Sequence, residues 1–175
     1  MHRSTRRQLI HRPARSVGDN DIGDIQAWCW LTRLRAVVDG LRPRLRVFRD
    51  EQGRELFDLP EAPRPDPEMP VPVRFLPEYD NVLLSHADRT RIMRADQHLP
   101  LPAGSGGACG TVLVDGFFAG TWKITRLKDG ATLEIAPFAT LPEPERDALA
   151  EEGSRLLAFV ASEAARHDVT FVAVP

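Results

Sequence analysis

Residues 111–138 read TVLVDGFFAGTWKITRLKDGATLEIAPF. Apolar and polar residues alternate here around two Asp-Gly pairs, Asp115-Gly116 and Asp129-Gly130. Such alternation is typical of strands with one buried face, and Asp-Gly is a pair that tight hairpin turns prefer. The stretch therefore predicts a three-stranded antiparallel meander, which decides the fold class of the region around it.

The sequence on both sides of the meander predicts its packing partners. Downstream, residues 142–166 predict a long helix and residues 169–174 a closing strand. The helix carries its apolar face at Leu149, Leu156, Leu157, Phe159 and Val160. Upstream, residues 73–76 predict a strand, and residues 99–110 are rich in Pro and Gly and predict a loop. These elements predict an α+β domain over residues 73–175, with the meander packed on the C-terminal helix.

A proline-rich segment separates this domain from the N-terminal part of the chain. Residues 60–72 read PEAPRPDPEMPVP and contain six prolines. This density of proline excludes a helix or a central strand, because proline lacks a backbone N–H and has a fixed φ. We interpret the segment as a stiff, extended linker. A proline-rich ligand for another protein is the alternative.

Residues 19–59 predict two helices followed by a hairpin. The second helix is predicted to start at Thr32 as its N-cap and to end at Pro43. The buried face of the helix pair is predicted at Leu31, Leu34, Val37, Val38 and Leu41. Residues 45–59 form two short apolar runs around a polar turn with Gly53, which predicts a β-hairpin. Helix, helix and hairpin in this order predict a partial winged-helix unit, a variant of the helix-turn-helix.

The charge of the chain is unevenly distributed. The net formal charge is −2, but residues 1–50 contain eleven Arg and five Asp, a net of +6. Residues 1–18 hold five of these Arg and no acidic residue, and this N-terminus is predicted to be disordered. The basic N-terminal part of an otherwise acidic chain predicts a polyanionic partner for that part. The alternative is an Arg-rich composition that reflects only a GC-rich genome.

The placement of the arginines decides which side chains are candidates for phosphate contacts. In a winged-helix unit the second helix can enter the major groove, while the hairpin touches the backbone or the minor groove. The first set of candidate DNA-binding residues is Arg33 and Arg35 on the second helix with Arg46, Arg49 and Arg54 on the hairpin. A second set is His86, Arg89 and Arg91, for which a solvated helix face is the alternative. Trp28, Trp30 and Trp122 are interpreted as core residues rather than as platforms for nucleobases.

Composition and motifs exclude several other classes of protein. The chain has 175 residues, of which 42% are hydrophobic and 27% are charged, a globular balance. No apolar run predicts a membrane span or a secretory signal, so a cytoplasmic protein is expected, associated with the nucleoid when bound to DNA. Cys29 and Cys109 lie far apart and no two His have metal-ligand spacing, so neither a disulfide scaffold nor a metal site is predicted. Residues 104–110 are Gly-rich but lack the Lys-Ser or Lys-Thr of a phosphate-binding loop, and no cofactor is expected.

Seven short segments carry a family resemblance. They read DIQAW (24–28), LRPRL (41–45), GRELFDLP (53–60), VRFLPEYDN (73–81), LSHADR (84–89), VDG (114–116) and GTW (120–122). In this order they resemble a bacterial family of winged-helix DNA-binding-domain proteins, which includes the DNA glycosylases that unhook interstrand crosslinks. The resemblance spans residues 21–165 and implies tandem winged-helix units, of which this chain is similar to the C-terminal half only.

The resemblance also implies where catalysis lies in the family. Its glycosylases carry a catalytic Gln-x-Gln or Gln-x-Asp pair in the N-terminal half, whereas the glutamines here stand at positions 8, 26, 52 and 97 and form no such pair. No catalytic residue is therefore carried over to this chain. The family also tends to have a small residue and a glycine where this chain has Cys29-Trp30.

These observations predict a protein that binds double-stranded DNA through Arg–phosphate contacts and is non-catalytic as this chain stands. One alternative is a fragment of a DNA glycosylase of alkylation or crosslink repair that associates with a separate N-terminal half. A second alternative is a degenerate remnant or a protein-interaction module.

Overall fold

The computed structural model describes residues 20–64, 66, 69–84, 86–90, 92–94, 97 and 109–172. The described residues divide into two compact units. Unit 1 contains the described residues up to Asp66 together with Asn81–Arg89, and unit 2 contains Met69–Asp80 with the described residues from Thr90 onward. Residues 81–89 were expected to belong to the C-terminal domain, and the structure instead groups them with unit 1.

Two short helices lie near the start of the described part of unit 1. Helix α1 (Ile22–Cys29) begins with a capping box, in which the side chains of Asp21 and Asp24 each accept the backbone N–H of the other residue. Helix α2 (Arg35–Leu41) follows and is extended by a 3₁₀ turn (Arg42–Arg44). The prediction of Thr32 as the N-cap is wrong: Leu34 takes that position and makes no side-chain cap bond.

A β-hairpin completes the core of unit 1. Strands β1 (Arg46–Arg49) and β2 (Glu55–Asp58) pair antiparallel, as predicted. On the other edge of β2, Asn20 exchanges two backbone hydrogen bonds with Phe57, at 3.1 and 2.8 Å. The core of the unit consists of Ile25, Leu34, Val38, Leu41 and Phe57, each at most 2% exposed.

A buried carboxylate brings residues 81–89 into unit 1. After helix α3 (Asn81–Leu84), the Ala87 N–H donates to Asp24 Oδ1 at 2.8 Å. The buried His86 imidazole places Nδ1 at 3.7 Å from Asp24 Oδ2. Burial alone would raise the pKa of Asp24, but His86 and the N–H groups of Asp21 and Ala87 outweigh burial and lower it below its usual 3.8. These contacts join residues that are 63 positions apart, which explains why the sequence prediction placed residues 81–89 elsewhere.

The described residues of unit 2 form a five-stranded sheet and a helix. Its strands are β3 (Arg74–Leu76), β4 (Gly110–Val114), β5 (Phe117–Leu127), β6 (Gly130–Pro137) and β7 (His167–Phe171), in spatial order β3-β4-β5-β6-β7. The predicted antiparallel meander β4-β5-β6 is confirmed. Strand β7 pairs parallel to β6, because helix α4 (Glu143–Val160) carries the chain back between them. The unit is therefore α+β with a mixed sheet.

The core of unit 2 lies between α4 and the sheet. It consists of Val112, Ala131, Leu133, Ile135, Leu149, Leu157 and Ala161. The helix ends at Val160, short of the predicted residue 166. The prediction that Phe159 shares the buried face of α4 is wrong: it is 84% exposed, because two helical positions rotate it about 200° from the buried Leu157. Within the described residues no helix has the length and apolar character of a membrane span.

Gly110, the first residue of strand β4, lies against the side chain of Trp122. Trp122 donates its indole N–H to the Leu76 carbonyl at 2.9 Å, and its ring meets Phe75 edge to face. A Cβ on Gly110 would lie 2.2 Å from the Trp122 ring and 2.6 Å from the Leu76 carbonyl oxygen. Glycine is therefore required at this position by close approach, and Trp122 packs against the core as predicted.

The Asp24 network predicts a specific loss of stability in acid. A carboxyl with a lowered folded pKa stabilises above its unfolded pKa of about 4 and loses that contribution as the pH falls through the folded pKa. We expect Asp24→Asn to reduce the free energy of unfolding by about 1–3 kcal/mol at neutral pH, because it removes a buried charge-assisted acceptor. The difference from wild type should shrink below about pH 4.

Urea unfolding at a series of pH values measures this effect. The control is Asp129→Asn in an exposed turn, where Asn-Gly forms the same hairpin as Asp-Gly. An Asp24→Asn protein with the wild-type pH profile would contradict the assignment.

Replacement of Gly110 and of Gly40 by alanine should change the free energy of unfolding in opposite directions. Gly110→Ala should destabilise unit 2 by about 1–3 kcal/mol, because the new methyl group meets a ring and a backbone oxygen. Gly40→Ala lies in α2, where nothing apart from the adjacent helix backbone lies within 4 Å of the new methyl, and should stabilise by about 0.5–1 kcal/mol. Thermal unfolding compares the two, and equal shifts would contradict the close approach.

Candidate nucleic-acid interface

Two arginines of unit 1 lie at the carboxylate of Glu55, and the charge of a third acts on it. Arg42 binds it through both terminal nitrogens, at 3.0 and 2.7 Å, and Arg49 lies at 3.8 Å. The pKa of Glu55 is lowered, first by the hydrogen bond from Arg42 and further by the charges of Arg42, Arg49 and Arg35. Arg35 begins α2, Arg42 begins the 3₁₀ turn and Arg49 ends β1. We call Arg35, Arg42 and Arg49 the arginine cluster.

The cluster carries more positive charge than its acidic partners compensate. Arg42 occupies both oxygens of Glu55 and also lies 3.5 Å from Asp39. Arg49, 73% exposed, is left at salt-bridge distance from a carboxylate that is already bound. Arg35 forms no ion pair within the described part of the chain and is exposed. Two predicted residues, Arg35 and Arg49, therefore have guanidinium groups available to another anion.

Arg46 lies on the opposite face of β1 from Arg49. Residues three apart in a strand point to opposite faces, because the side-chain period is two. The Arg46 guanidinium stacks over the Phe48 ring at 5.1 Å, and Arg64 stacks over the same ring at 5.3 Å. Arg64 is compensated by the buried Asp58 at 2.8 Å, whereas Arg46 forms no ion pair within the described residues. Strand β1 thus presents arginine on both of its faces.

Arg33 lies before α2 rather than on it. Its backbone has a left-handed φ of 59°, which breaks the helical path between α1 and α2. The residue is exposed, and among the described residues it has no ion-pair partner. The prediction that Arg33 belongs to the second helix is corrected, while its exposure leaves its charge available.

Arg54 is held inside unit 1 by three carboxylates. Its guanidinium lies 2.6 Å from Asp50, 2.8 Å from Asp88 and 4.0 Å from Asp21. Hydrogen bonds to Asp50 and Asp88 raise the pKa of Arg54. The arrangement ties the hairpin turn to the start of α1 and to residues 86–89. Because these carboxylates compensate the charge of Arg54, the geometry favours a structural role for this residue over the predicted phosphate contact.

Of the second predicted set, the structure describes His86 and Arg89, and neither side chain is fully exposed. His86 is 7% exposed and faces Asp24, away from solvent. The Arg89 side chain is half-buried and donates its Nε–H to the Leu83 carbonyl at 2.6 Å. Arg91 lies outside the described residues.

Sequence reasoning missed two features of this surface. Arg42 was not selected, although it organises the cluster, because only the tertiary pairing with Glu55 reveals it. The core interpretation of Trp30 is wrong, since this residue is 92% exposed. The sequence signal that could have indicated this exposure is that Trp30 stands where the family tends to have a glycine. Within the described residues, no three His, Cys, Asp or Glu side chains form a group that could hold a metal ion.

Comparison with known proteins gives one family and one related structure. The family model described as "DNA glycosylase AlkZ-like" matches residues 2–159. The solved structure of the Streptomyces sahachiroi DNA glycosylase AlkZ is similar over 97% of this chain, with a TM-score of 0.63 and 21% sequence identity. At that identity the likeness concerns the fold. No curated protein sequence matches the chain.

The extent of these matches corrects one expectation. The family match starts at residue 2 and covers nearly the whole chain, and it does not single out a C-terminal half. The chain spans 46% of the length of AlkZ. The predicted likeness to a family that includes DNA glycosylases is confirmed, and the chain belongs to the AlkZ-like family of DNA glycosylases.

Proposed function

We propose that the protein acts on DNA as a glycosylase and that unit 1 of this chain holds the duplex. Family membership supports the reaction class. The arginine cluster around Glu55, with Arg46 and Arg33 nearby in sequence, supports the contact surface. The observation that carries the proposal is the exposed Arg49 guanidinium, which lies 3.8 Å from a Glu55 carboxylate that Arg42 already occupies.

Unit 1 is proposed to be a winged-helix-like module. The isolated backbone bridge of Asn20 to Phe57 places one residue beside the hairpin, at the edge where a winged-helix unit has its third strand. Helix α2 then takes the position of the recognition helix, with Arg35 at its N-terminus, and the hairpin takes the position of the wing. Recognition helices present their N-terminal residues to the groove, so Arg35 is suitably positioned.

The hairpin is suited to lie along a groove. In a winged-helix unit the wing touches the phosphate backbone or the minor groove, whose walls are two phosphate backbones. With Arg46 on one face of β1 and Arg49 on the other, the hairpin offers a cation to each wall. Each phosphate contact releases counterions, so the affinity should fall linearly with salt on a logarithmic scale.

Base excision requires two further functions, a pocket for the flipped nucleotide and a group that orients the attacking water. The Asp24–His86 pair does not suit the second function, because both side chains are buried and the carboxylate holds two backbone N–H groups. We therefore assign a structural role to this pair. We expect the water-orienting group to lie outside the described residues of this chain.

Removal of one cluster arginine should weaken duplex binding in a salt-dependent way. Arg49→Gln is expected to lower the affinity at low salt by about tenfold and to reduce the salt slope by about 0.9. Its matched control is Arg166→Gln in unit 2, since Arg166 is 76% exposed with one acidic neighbour at 3.4 Å. Fluorescence anisotropy with a labelled duplex at several salt concentrations measures both variants.

Two results would refute the proposed surface. One is wild-type affinity that does not change with salt, which excludes phosphate contacts. The other is an equal effect of Arg49→Gln and Arg166→Gln, which excludes a specific role for the cluster.

The reaction itself is tested with alkylated DNA. A glycosylase should release the alkylated base from a duplex and leave an abasic site that alkali cleaves, while an undamaged duplex stays intact. Purified full chain, alone, is incubated with both duplexes. Retained duplex binding without base release would refute catalysis by this chain and leave the DNA-binding role alone.

A further inference from the structure

Trp30 is the most exposed large apolar side chain of the described residues. It is 92% accessible, although it directly follows helix α1. Its backbone is left-handed, with φ 57° and ψ 23°, and its N–H donates to the Gln26 carbonyl at 2.9 Å. This C-terminal capping position favours glycine, because a Cβ crowds the following carbonyl.

Because the Trp30 side chain is almost fully exposed, it adds little packing to unit 1 within the described part of the chain. A tryptophan in left-handed backbone is strained, and an indole in water loses the burial that normally stabilises it. A strained and exposed residue on an ordered cap points to contact with something outside the chain. The cap hydrogen bond fixes the backbone, so the indole is presented from a defined position.

The residues that follow Trp30 indicate the chemistry of the partner. The segment 30–35 reads WLTRLR and contains no acidic residue. Thr32, Arg33 and Arg35 are exposed, and neither arginine forms an ion pair within the described residues. One indole face and two uncompensated guanidinium groups on a six-residue segment match a partner that has π-faces and negative charge.

We propose that Trp30 is a base-stacking residue that contacts DNA at a position where the duplex is opened. This inference rests on the proposed function and adds a residue with a distinct role to it. Aromatic side chains stack on any nucleobase, and a glycosylase must open the stack to reach its target. Arg33 and Arg35 then hold the phosphates beside the opened position.

Trp30→Gly separates this role from a structural one. Glycine relieves the left-handed backbone, so the melting temperature should equal or exceed that of wild type. The affinity for a duplex with one abasic-site analogue should fall roughly 5- to 150-fold, the range that removal of one stacking aromatic produces. The salt slope should stay unchanged, because no cation is removed.

The same duplex without the abasic analogue gives the specificity of the effect. Wild-type protein should prefer the abasic duplex, and Trp30→Gly should lose that preference. Trp30→Phe keeps an aromatic face and should retain most of the preference. The matched control is Phe159→Ala, which removes an 84% exposed aromatic from α4 and should leave both affinities unchanged.

Tryptophan fluorescence provides a direct signal of stacking. DNA should quench the emission of wild-type protein, and Trp30→Phe should lose most of this quenching while Trp28 and Trp122 remain. Quenching that persists in Trp30→Phe would overturn the proposal.

The possible results distinguish the stacking role of Trp30 from the proposed function in DNA binding and base excision. Wild-type protein that does not bind DNA overturns both. Salt-dependent binding by wild type with unchanged affinity in Trp30→Gly overturns only the stacking role. A changed oligomeric state in Trp30→Gly with unchanged DNA affinity would assign the indole to a second copy of the chain and also overturns it.

Discussion

The buried carboxylate of Asp24 is the interaction on which unit 1 depends. It accepts the Asp21 N–H, which completes the capping box of α1, and the Ala87 N–H, which attaches residues 81–89. The imidazole of His86 lies against its second oxygen. A buried anion is stable only while its partners remain in place, since an unpaired charge in the interior is strongly unfavourable. One side chain therefore connects the start of a helix to a segment that the chain reaches only after it has passed through part of unit 2.

The network extends from Asp24 to the hairpin through its neighbour in the capping box. Asp21 lies 4.0 Å from Arg54, which Asp50 and Asp88 hold at shorter distances. The different acidic partners explain why arginines of one hairpin differ in their ability to bind an outside anion. Arg54 has its charge compensated within the unit, whereas Arg49 faces a carboxylate that Arg42 already binds. The placement of the acidic partners, rather than the number of arginines, decides which cations can meet an outside anion.

Much of the fold follows from local sequence patterns. The meander was predicted from the Asp115-Gly116 and Asp129-Gly130 turns, and the hairpin of unit 1 from two apolar runs around Gly53. Of the candidate site, Arg35 and Arg49 are predicted from their place on a helix and a strand, and both are exposed, with Arg49 at 3.8 Å from Glu55. The same reasoning also chose His86 and Arg54. Sequence patterns could not show that His86 is buried and that the charge of Arg54 is compensated by carboxylates, because partners of both residues are distant in sequence.

Local sequence is enough to predict the elements that depend on neighbouring residues: turns at Asp-Gly, strands from alternation, and a helix from its apolar period. Tertiary structure alone decided that β7 runs parallel to β6 and that residues 81–89 belong to unit 1. It also decided that Trp30 faces solvent while Trp122 packs against a core. The physical reason is that a residue type specifies what a side chain can do in water or in a core. Only the folded chain specifies which of the two surrounds it.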